Sequence, residues 1–158
     1  MKATTRILFV CMGNICRSPT AEGVFRHHVQ LAGLQNRIEI DSAGTDDWHV
    51  GKWPDSRTRQ AAQRRGYDLD TLRARQVEVE DFRRFDLILT MDHDNLARLQ
   101  ALRPADATAE LDLFLRRYGV AGDVVPDPYY GGADGFEQVL DLIEQGSQAL
   151  LAEVRERL

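Results

Sequence analysis

Residues 6–19 have the sequence Arg-Ile-Leu-Phe-Val-Cys-Met-Gly-Asn-Ile-Cys-Arg-Ser-Pro, a short apolar run followed by a loop that contains glycine. A continuous apolar run of this length, ended by a turn signal, is typical of a buried parallel strand. From Ala21 to Ala32 apolar side chains recur at helical spacing, and Gly33 favours a helix end. These residues predict a strand, a loop and a helix in direct succession.

The same alternation continues along the chain. Further strands are predicted at residues 38–41, 85–89 and about 111–115, and helices at residues 56–65, 91–102 and from Phe136 onward. Alternating strands and helices favour a parallel sheet that is covered on both faces and binds ligands at the carboxyl ends of its strands. We therefore predict an α/β fold with an open parallel four-stranded sheet and helices on both faces, forming one domain over residues 1–158.

Length, charge and cysteine usage exclude several classes of protein. The chain has 158 residues, and 20 Lys and Arg against 25 Asp and Glu give a net charge of −5, which argues against a nucleic-acid partner. No apolar run is long enough to cross a membrane, so we expect no membrane partner and a cytoplasmic location. Cys11 and Cys16 lie too close together in the sequence for a disulfide between them to stabilise the fold as a whole, which favours a reducing compartment and a reactive thiol.

The loop after the first strand has the composition of an anion site. Backbone N–H groups of a tight loop and of a helix N-terminus attract an oxyanion, and Gly13 lets the chain turn closely. Arg17 adds a planar guanidinium that can hold two oxygens of a phosphate. Cys11 enters the loop from the strand in a field that favours its thiolate, and Ser18 can donate a hydrogen bond to that sulfur. We predict a phosphate-binding loop with Cys11 as nucleophile, occupied by phosphate or sulfate when either ion is present.

Taken singly, these residues have simpler interpretations. A cysteine at a strand end is commonly a small buried hydrophobe, Ser18 and Pro19 can begin a helix, and Arg17 can be a surface cation. Their combination favours catalysis, because the loop places a nucleophile and an oxyanion clamp on opposite sides of one turn. No metal is expected, since Cys11 and Cys16 have no second pair and the four histidines lack the spacing of zinc ligands.

The sequence resembles the low-molecular-weight protein tyrosine phosphatases, whose signature is Cys-x5-Arg-Ser near the N-terminus. The similarity continues, in order, through residues 41–45, 74–76, 85–89, 91–92 and 127–131. It spans nearly the whole chain. One position departs from the pattern: the family commonly has His where Leu72 stands, so one arm of the network that supports the loop is expected to be missing or replaced.

The resemblance implies hydrolysis of phosphotyrosine in proteins through a phosphocysteine, without metal or other cofactor. Cys11 would attack phosphorus, Arg17 and the loop amides would stabilise the equatorial oxygens, and Asp127 would protonate the leaving phenolate and then activate water. Asp127 precedes Pro128, which restricts its backbone to extended conformations. Ser42 corresponds to a supporting position, as do Asn14 and Ser18.

The expected substrate site combines the loop with aromatic walls around a phenyl phosphate. Trp53 is assigned to packing. Oxidation by peroxide is expected to join Cys11 to Cys16. The partners expected are phosphotyrosine-containing proteins and a weak homodimer. The residues predicted to bind substrate are Met12, Gly13, Asn14, Ile15, Cys16, Ser18, Trp48, Tyr129 and Tyr130.

Two alternative activities share the same loop. Protein arginine phosphatases resemble this chain but have Thr where Ile15 stands, and a hydroxyl there would favour a polar guanidinium. Thioredoxin-coupled arsenate reductase needs distant cysteines, and none follows Cys16. Both alternatives are less favoured than phosphotyrosine hydrolysis.

Overall fold

Four parallel strands form one sheet in the order β2-β1-β3-β4. The structure is a computed structural model that describes residues 4–129 and 131–158. The strands are β1 (Thr5–Cys11), β2 (Ile38–Gly44), β3 (Leu87–Thr90) and β4 (Glu110–Leu113). The predicted α/β fold with a parallel four-stranded sheet is confirmed.

Six helices lie in the described part of the chain. They are α1 (Arg17–Leu31), α2 (Ser56–Arg64), α3 (Asp81–Arg84), α4 (His93–Leu102), α5 (Phe114–Arg117) and α6 (Ala133–Arg157). None of them is long and apolar enough to cross a membrane.

Alternate side chains of β1 enter two separate cores. Ile7 and Phe9 are fully buried in the cluster that includes α1 and α6, whereas Leu8 and Val10 are buried in a cluster with residues of α3 and α4. Successive side chains of a strand point to opposite faces, so the continuous apolar run at residues 7–10 requires cover on both sides. The prediction of helices on both faces is therefore confirmed.

Several boundaries differ from the sequence-based prediction: β3 begins at residue 87 and not 85, α4 at 93 and not 91, and α6 at 133 and not 136, and α3 was not predicted. The fourth strand ends at Leu113, and Phe114 and Leu115, predicted as strand, begin α5 instead. A short apolar run fits a buried strand and a buried helix equally well, so its period could not separate the two. Residues 42–44 lie beyond the predicted strand at 38–41 and extend β2, because they continue the register opposite residues 9–11 of β1.

The strand order places the loops after β1 and β3 at the same edge of the sheet. The chain leaves β1 towards β2 on one side and returns to β3 on the other. Such a reversal of direction opens a crevice at the carboxyl ends of the two central strands, where α/β proteins bind ligands. Cys11 ends β1, and Asp92 follows β3 by two residues. The fold thus brings together two segments that lie far apart in sequence.

Candidate active site

Cys11 is the last residue of β1, and α1 begins at Arg17 after a loop of five residues. We call residues 11–17 the phosphate loop. The residue that caps α1 is Cys16, and it makes no side-chain capping bond. Ser18 lies inside the helix, so the interpretation of this residue as a helix cap is wrong and its hydroxyl is available to the loop.

Cys11 is 2% exposed, and its sulfur has two hydrogen-bond partners in the loop region. The backbone N–H of Asn14 donates to Sγ at 3.3 Å, and the Ser18 Oγ lies 3.0 Å from Sγ. Ser18 Oγ itself accepts a hydrogen bond from Asn14 Nδ2 at 2.8 Å. Because that bond occupies an oxygen lone pair, the hydroxyl hydrogen of Ser18 has two acceptors within reach, the Cys11 sulfur at 3.0 Å and the carbonyl of Ala43 at 3.4 Å. Both contacts place hydrogen-bonding groups against the Cys11 sulfur.

Asn14 fixes the shape of the phosphate loop. Its backbone has φ of 57°, in the left-handed region that asparagine tolerates better than most residues, and its side chain is buried. Nδ2 donates to Ser18 and to Ser42, at 2.8 and 3.0 Å, and Oδ1 accepts from the backbone N–H of Arg75 at 2.9 Å. Both amide hydrogens are used, so the side chain is held in one orientation.

The supporting network ends at Glu22, which sequence analysis did not single out. Ser42 Oγ donates to Glu22 Oε1 at 2.7 Å, and Arg26 pairs with Glu22 at 2.8 Å. Burial raises the pKa of Glu22. Leu72 packs against the apolar core instead of joining this network.

Arg17 is buried beneath the loop, with a side chain 4% exposed. Its Nη1 donates to Asp92 Oδ2 at 2.6 Å and to the carbonyl of Val125 at 3.1 Å, and Nη2 lies 3.8 Å from Asp127 Oδ2. Neither Nε nor Nη2 donates a hydrogen bond within residues 4–129 and 131–158. Burial alone would lower the pKa of Arg17, but negative charge at Cys11, Asp92 and Asp127 outweighs burial and raises it. The side chain is therefore a fixed cation with free donors.

Asp92 lies in a segment that resembles the family, but sequence analysis gave it no role in the site. Its Oδ2 holds Arg17, and its Oδ1 accepts from the backbone N–H of Asn95 at 2.8 Å, which caps α4. Both carboxylate oxygens are thus engaged, and the acceptor for Arg17 is rigid. The available signal was an aspartate just after a strand at the ligand-binding edge, in a position that favours helix capping.

Asp127 lies at the mouth of the site, and its side chain is 32% exposed. Its Oδ1 accepts from the backbone N–H of Tyr129 at 3.0 Å, which orients the carboxyl group. Oδ2 is the oxygen nearer to Arg17. This carboxyl can therefore both contact solvent and approach a group held by the loop.

A cavity of about 230 Å³ opens above the phosphate loop. It brings together most of the residues predicted from sequence. Asn14, Ser18 and Ser42 are buried behind it as supports, and Tyr130 lies outside the described residues. The lining consists of Cys11, Met12, Gly13, Ile15, Cys16, Arg17, Trp48, His49, Asp127 and Tyr129.

His49 is a wall of this cavity that sequence analysis did not predict. Its ring lies directly over Gly13, where a Cβ atom would stand 3.0 Å from His49 Cδ2. A side chain at position 13 would therefore displace the imidazole. Trp48 lines the same cavity but is 69% exposed, so it forms the rim and not an enclosed wall.

Cys16 differs chemically from Cys11. Burial raises the pKa of the Cys16 thiol to about 12, so it stays protonated at neutral pH. Both cysteines are free thiols in this structure. The expected bridge between them under oxidation stays a prediction.

A buried thiol in a loop of backbone N–H groups, a fixed arginine with free donors and a carboxyl at the mouth together define the site of a cysteine-dependent phosphatase. The chain belongs to the low molecular weight phosphotyrosine protein phosphatase family, whose model matches residues 6–158.

Relatives and solved structures agree with this family. A low molecular weight protein-tyrosine-phosphatase of Streptomyces coelicolor is 48% identical over 98% of this chain and 96% of its own. A protein tyrosine phosphatase from Entamoeba histolytica, crystallised with Hepes in its active site, superposes with a TM-score of 0.92, at 38% identity over 97% of this chain and 98% of that one. A Drosophila arginine phosphatase is more distant, with a TM-score of 0.87 and 32% identity over 94% of this chain and 96% of its own.

Proposed function

We propose that this protein hydrolyses phosphotyrosine in phosphoproteins through a phosphocysteine intermediate, without a metal or cofactor. The observation that supports this most directly is the Cys11 sulfur, which opens into the same cavity as Arg17 and Asp127 and contacts the backbone N–H of Asn14 and the Ser18 hydroxyl. These are the groups needed for a nucleophile, an oxyanion clamp and a general acid.

In the first step the Cys11 thiolate attacks phosphorus and forms an S–P bond. The bond between phosphorus and the tyrosine oxygen breaks, and protonated Asp127 gives its proton to the departing phenolate. The free Nε and Nη2 donors of Arg17, with the loop N–H groups, hold the equatorial oxygens as negative charge accumulates. This step leaves a phosphocysteine and a neutral tyrosine.

In the second step water attacks the phosphocysteine. Asp127, now a carboxylate, accepts a proton from that water, and the S–P bond breaks to release inorganic phosphate. The Ser18 hydroxyl, 3.0 Å from the sulfur, stabilises the thiolate as it leaves. Asp127 ends the cycle protonated, ready for the next substrate.

Depth and lining favour phosphotyrosine over other phosphorylated side chains. Cys11 is almost fully buried at the cavity floor, and phosphotyrosine extends its phosphorus further from the backbone than phosphoserine does. Trp48 and Tyr129 offer aromatic faces to a phenyl ring, while Ile15 offers no polar partner to a phosphorylated guanidinium.

The free thiols also fit the cytoplasmic location that we propose.

Replacing Cys11 by serine tests the proposal. Cys11→Ser should reduce hydrolysis of a phosphotyrosine peptide to below about 1% of wild type, because the nucleophile is lost. Binding of phosphate or sulfate, measured by calorimetry, should persist because the loop N–H groups and Arg17 remain. Cys16→Ser is the matched control and should retain far more turnover, since the Cys16 thiol stays protonated.

Substrate class is tested with three peptides that carry phosphotyrosine, phosphoarginine or phosphoserine at the same position. Wild type should hydrolyse the phosphotyrosine peptide fastest. Faster hydrolysis of phosphoarginine, or equal hydrolysis of phosphoserine, would refute the tyrosine assignment.

A further inference from the structure

Trp53 forms an exposed surface with basic side chains, although sequence analysis assigned it to packing. It is 53% exposed, and two guanidinium groups lie over its ring, with Cζ of Arg59 at 5.0 Å and Cζ of Arg73 at 4.6 Å from the ring centroid. The preceding residue, Lys52, is also exposed. We call Lys52, Trp53, Arg59 and Arg73 the basic-aromatic surface.

This surface has an excess of positive charge that the protein neutralises only in part. Most arginines of the described chain have a carboxylate partner, but Arg73 donates only to the backbone carbonyls of Asp70 and Leu72. Within residues 4–129 and 131–158, no carboxylate pairs with Lys52 either. Arg59 alone has one, since Asp70 lies 3.6 Å away with its side chain 68% exposed. On a chain of net charge −5, such an excess is unusual.

Stacking on Trp53 prepares these cations for a ligand. A guanidinium on an indole face gains from the cation–π interaction and is restricted to few rotamers. Less side-chain entropy is then lost when an anion binds. Arg73 uses only Nη1 for its hydrogen bonds within the described residues, which leaves Nε and Nη2 to a carboxylate, whereas Arg59 also donates from Nε to the carbonyl of Pro54 at 3.0 Å.

The basic-aromatic surface adjoins the cavity. Trp48 and His49 line the cavity, and the same segment continues to Trp53. The backbone N–H of Gly51 donates to the carbonyl of Ala74 at 2.8 Å, and that of Ala74 donates to the carbonyl of Lys52 at 2.9 Å, which fixes the segment beside Arg73. Trp53 is four residues beyond His49 and so lies within about 14 Å of it. An extended substrate covers that span in two to four residues.

We propose that the basic-aromatic surface binds an acidic segment of the substrate polypeptide, two to four residues from the phosphotyrosine. This inference rests on the proposed phosphotyrosine hydrolysis and adds a preference for acidic flanking sequences. Three cations next to the cavity fit a few carboxylates of one peptide. A long polyanion would also extend over the rest of the protein, whose net negative charge would repel it.

Steady-state kinetics with two phosphotyrosine peptides tests the proposal. One peptide has Asp or Glu two to four residues from the phosphotyrosine on each side, and the other has Asn or Gln there. Wild type should show a kcat/KM about three to ten times higher for the acidic peptide, mainly through KM, because exposed ion pairs each contribute modestly. The preference should shrink in high salt, which screens such pairs.

The double variant Lys52→Gln/Arg73→Gln should lose this preference while its turnover of 4-nitrophenyl phosphate stays close to wild type. Arg37→Gln is the matched control, because Arg37 is an exposed arginine that precedes β2 at the opposite edge of the sheet from the cavity. It should keep the full preference.

The outcomes separate the two proposals. Failure to hydrolyse either peptide refutes the proposed function itself. Turnover of both peptides at equal kcat/KM, a preference that survives in the double variant, or an equal loss in Arg37→Gln each overturns the acidic-segment proposal alone. If the peptides are equal but wild type binds phosphatidylserine vesicles through Lys52 and Arg73, the surface serves a membrane and the proposal is likewise overturned.

Discussion

Arg17 and Arg117 are both largely buried arginines held by carboxylates, yet they differ in what their nitrogens do. Arg117 uses all three: Nε and Nη2 donate to Glu153, and Nη1 donates to Glu110 and Asp112. Arg17 uses only Nη1 for hydrogen bonds within the described chain. The number of ion pairs therefore does not distinguish a binding arginine from a structural one. The free donors do.

The two arginines also connect different parts of the fold. The Arg117 cluster joins β4 to α6, because Asp112 belongs to β4 and Glu153 to α6. Its partners thus come from two separate elements that the ion pairs hold against each other. Arg17 is held from one side by Asp92 and Val125, and its remaining face lines the cavity. We infer that the first cluster stabilises the fold and the second serves the reaction.

Replacing each arginine by glutamine is the strongest test of this contrast. Arg17→Gln should lower kcat/KM for 4-nitrophenyl phosphate by about 10³-fold, because the clamp on the equatorial oxygens is lost. Arg117→Gln should leave kcat/KM within about twofold and lower the free energy of unfolding by about 2 kcal/mol, because three carboxylates lose a shared partner although Glu153 keeps Arg157 and Tyr118. Denaturant titration and steady-state kinetics measure both quantities. Comparable losses of activity in the two variants would break the comparison.

The carboxylates beside the two arginines should differ in the same way. Asp127→Ala should lower turnover by about 10² for phenyl phosphate, whose leaving group needs a proton, and by much less for an activated aryl phosphate. Asp112→Ala removes a carboxylate 3.0 Å from Arg117 and serves as the control, with little effect on either substrate. Equal losses for both leaving groups in Asp127→Ala would remove this residue from the acid role.

The smallest effect is expected in the stability of the Arg117 cluster at low pH. Hydrogen bonds from Arg117 lower the pKa of Glu153 to about 2. A carboxyl with a lowered native pKa stabilises the fold above its unfolded pKa, near 4.3, and loses that contribution as pH falls towards 2. Glu153→Gln should thus cost about 2 kcal/mol at pH 7 and nearly nothing at pH 2. A difference that does not change between these pH values would contradict the assignment.

The sequence predicted those parts of the site that are local. Cys11, Arg17 and Ser18 lie within eight residues, so a strand ending, a tight loop and a helix start were enough to place them together. The order of strands and helices was predictable as well, because apolar periodicity is also a property of residues that are close together in the chain. The phosphate loop could be predicted because its geometry depends on neighbours in the chain.

Contacts between distant segments were not predictable in this way. Asp92 meets Arg17 only because β3 pairs with β1, and alternation of strands and helices does not specify strand order. Trp53 could not be distinguished from a core residue by type alone, since tryptophan occurs both in cores and at exposed binding surfaces. The sequence showed that Leu72 departs from the family pattern. It did not show that the hydrogen-bond network behind the phosphate loop reaches Glu22, because that contact depends on the position of Ser42 in β2.

Asn14 also links ligand binding to folding. Its left-handed backbone and its side-chain hydrogen bonds hold the phosphate loop in one shape, so the chain loses conformational entropy at the loop when it folds. An unfolded chain has no such loop and gains nothing from phosphate. At a phosphate concentration tenfold above Kd, mass action would favour the native state by about 1.4 kcal/mol. The product of the proposed reaction would therefore protect the enzyme against unfolding.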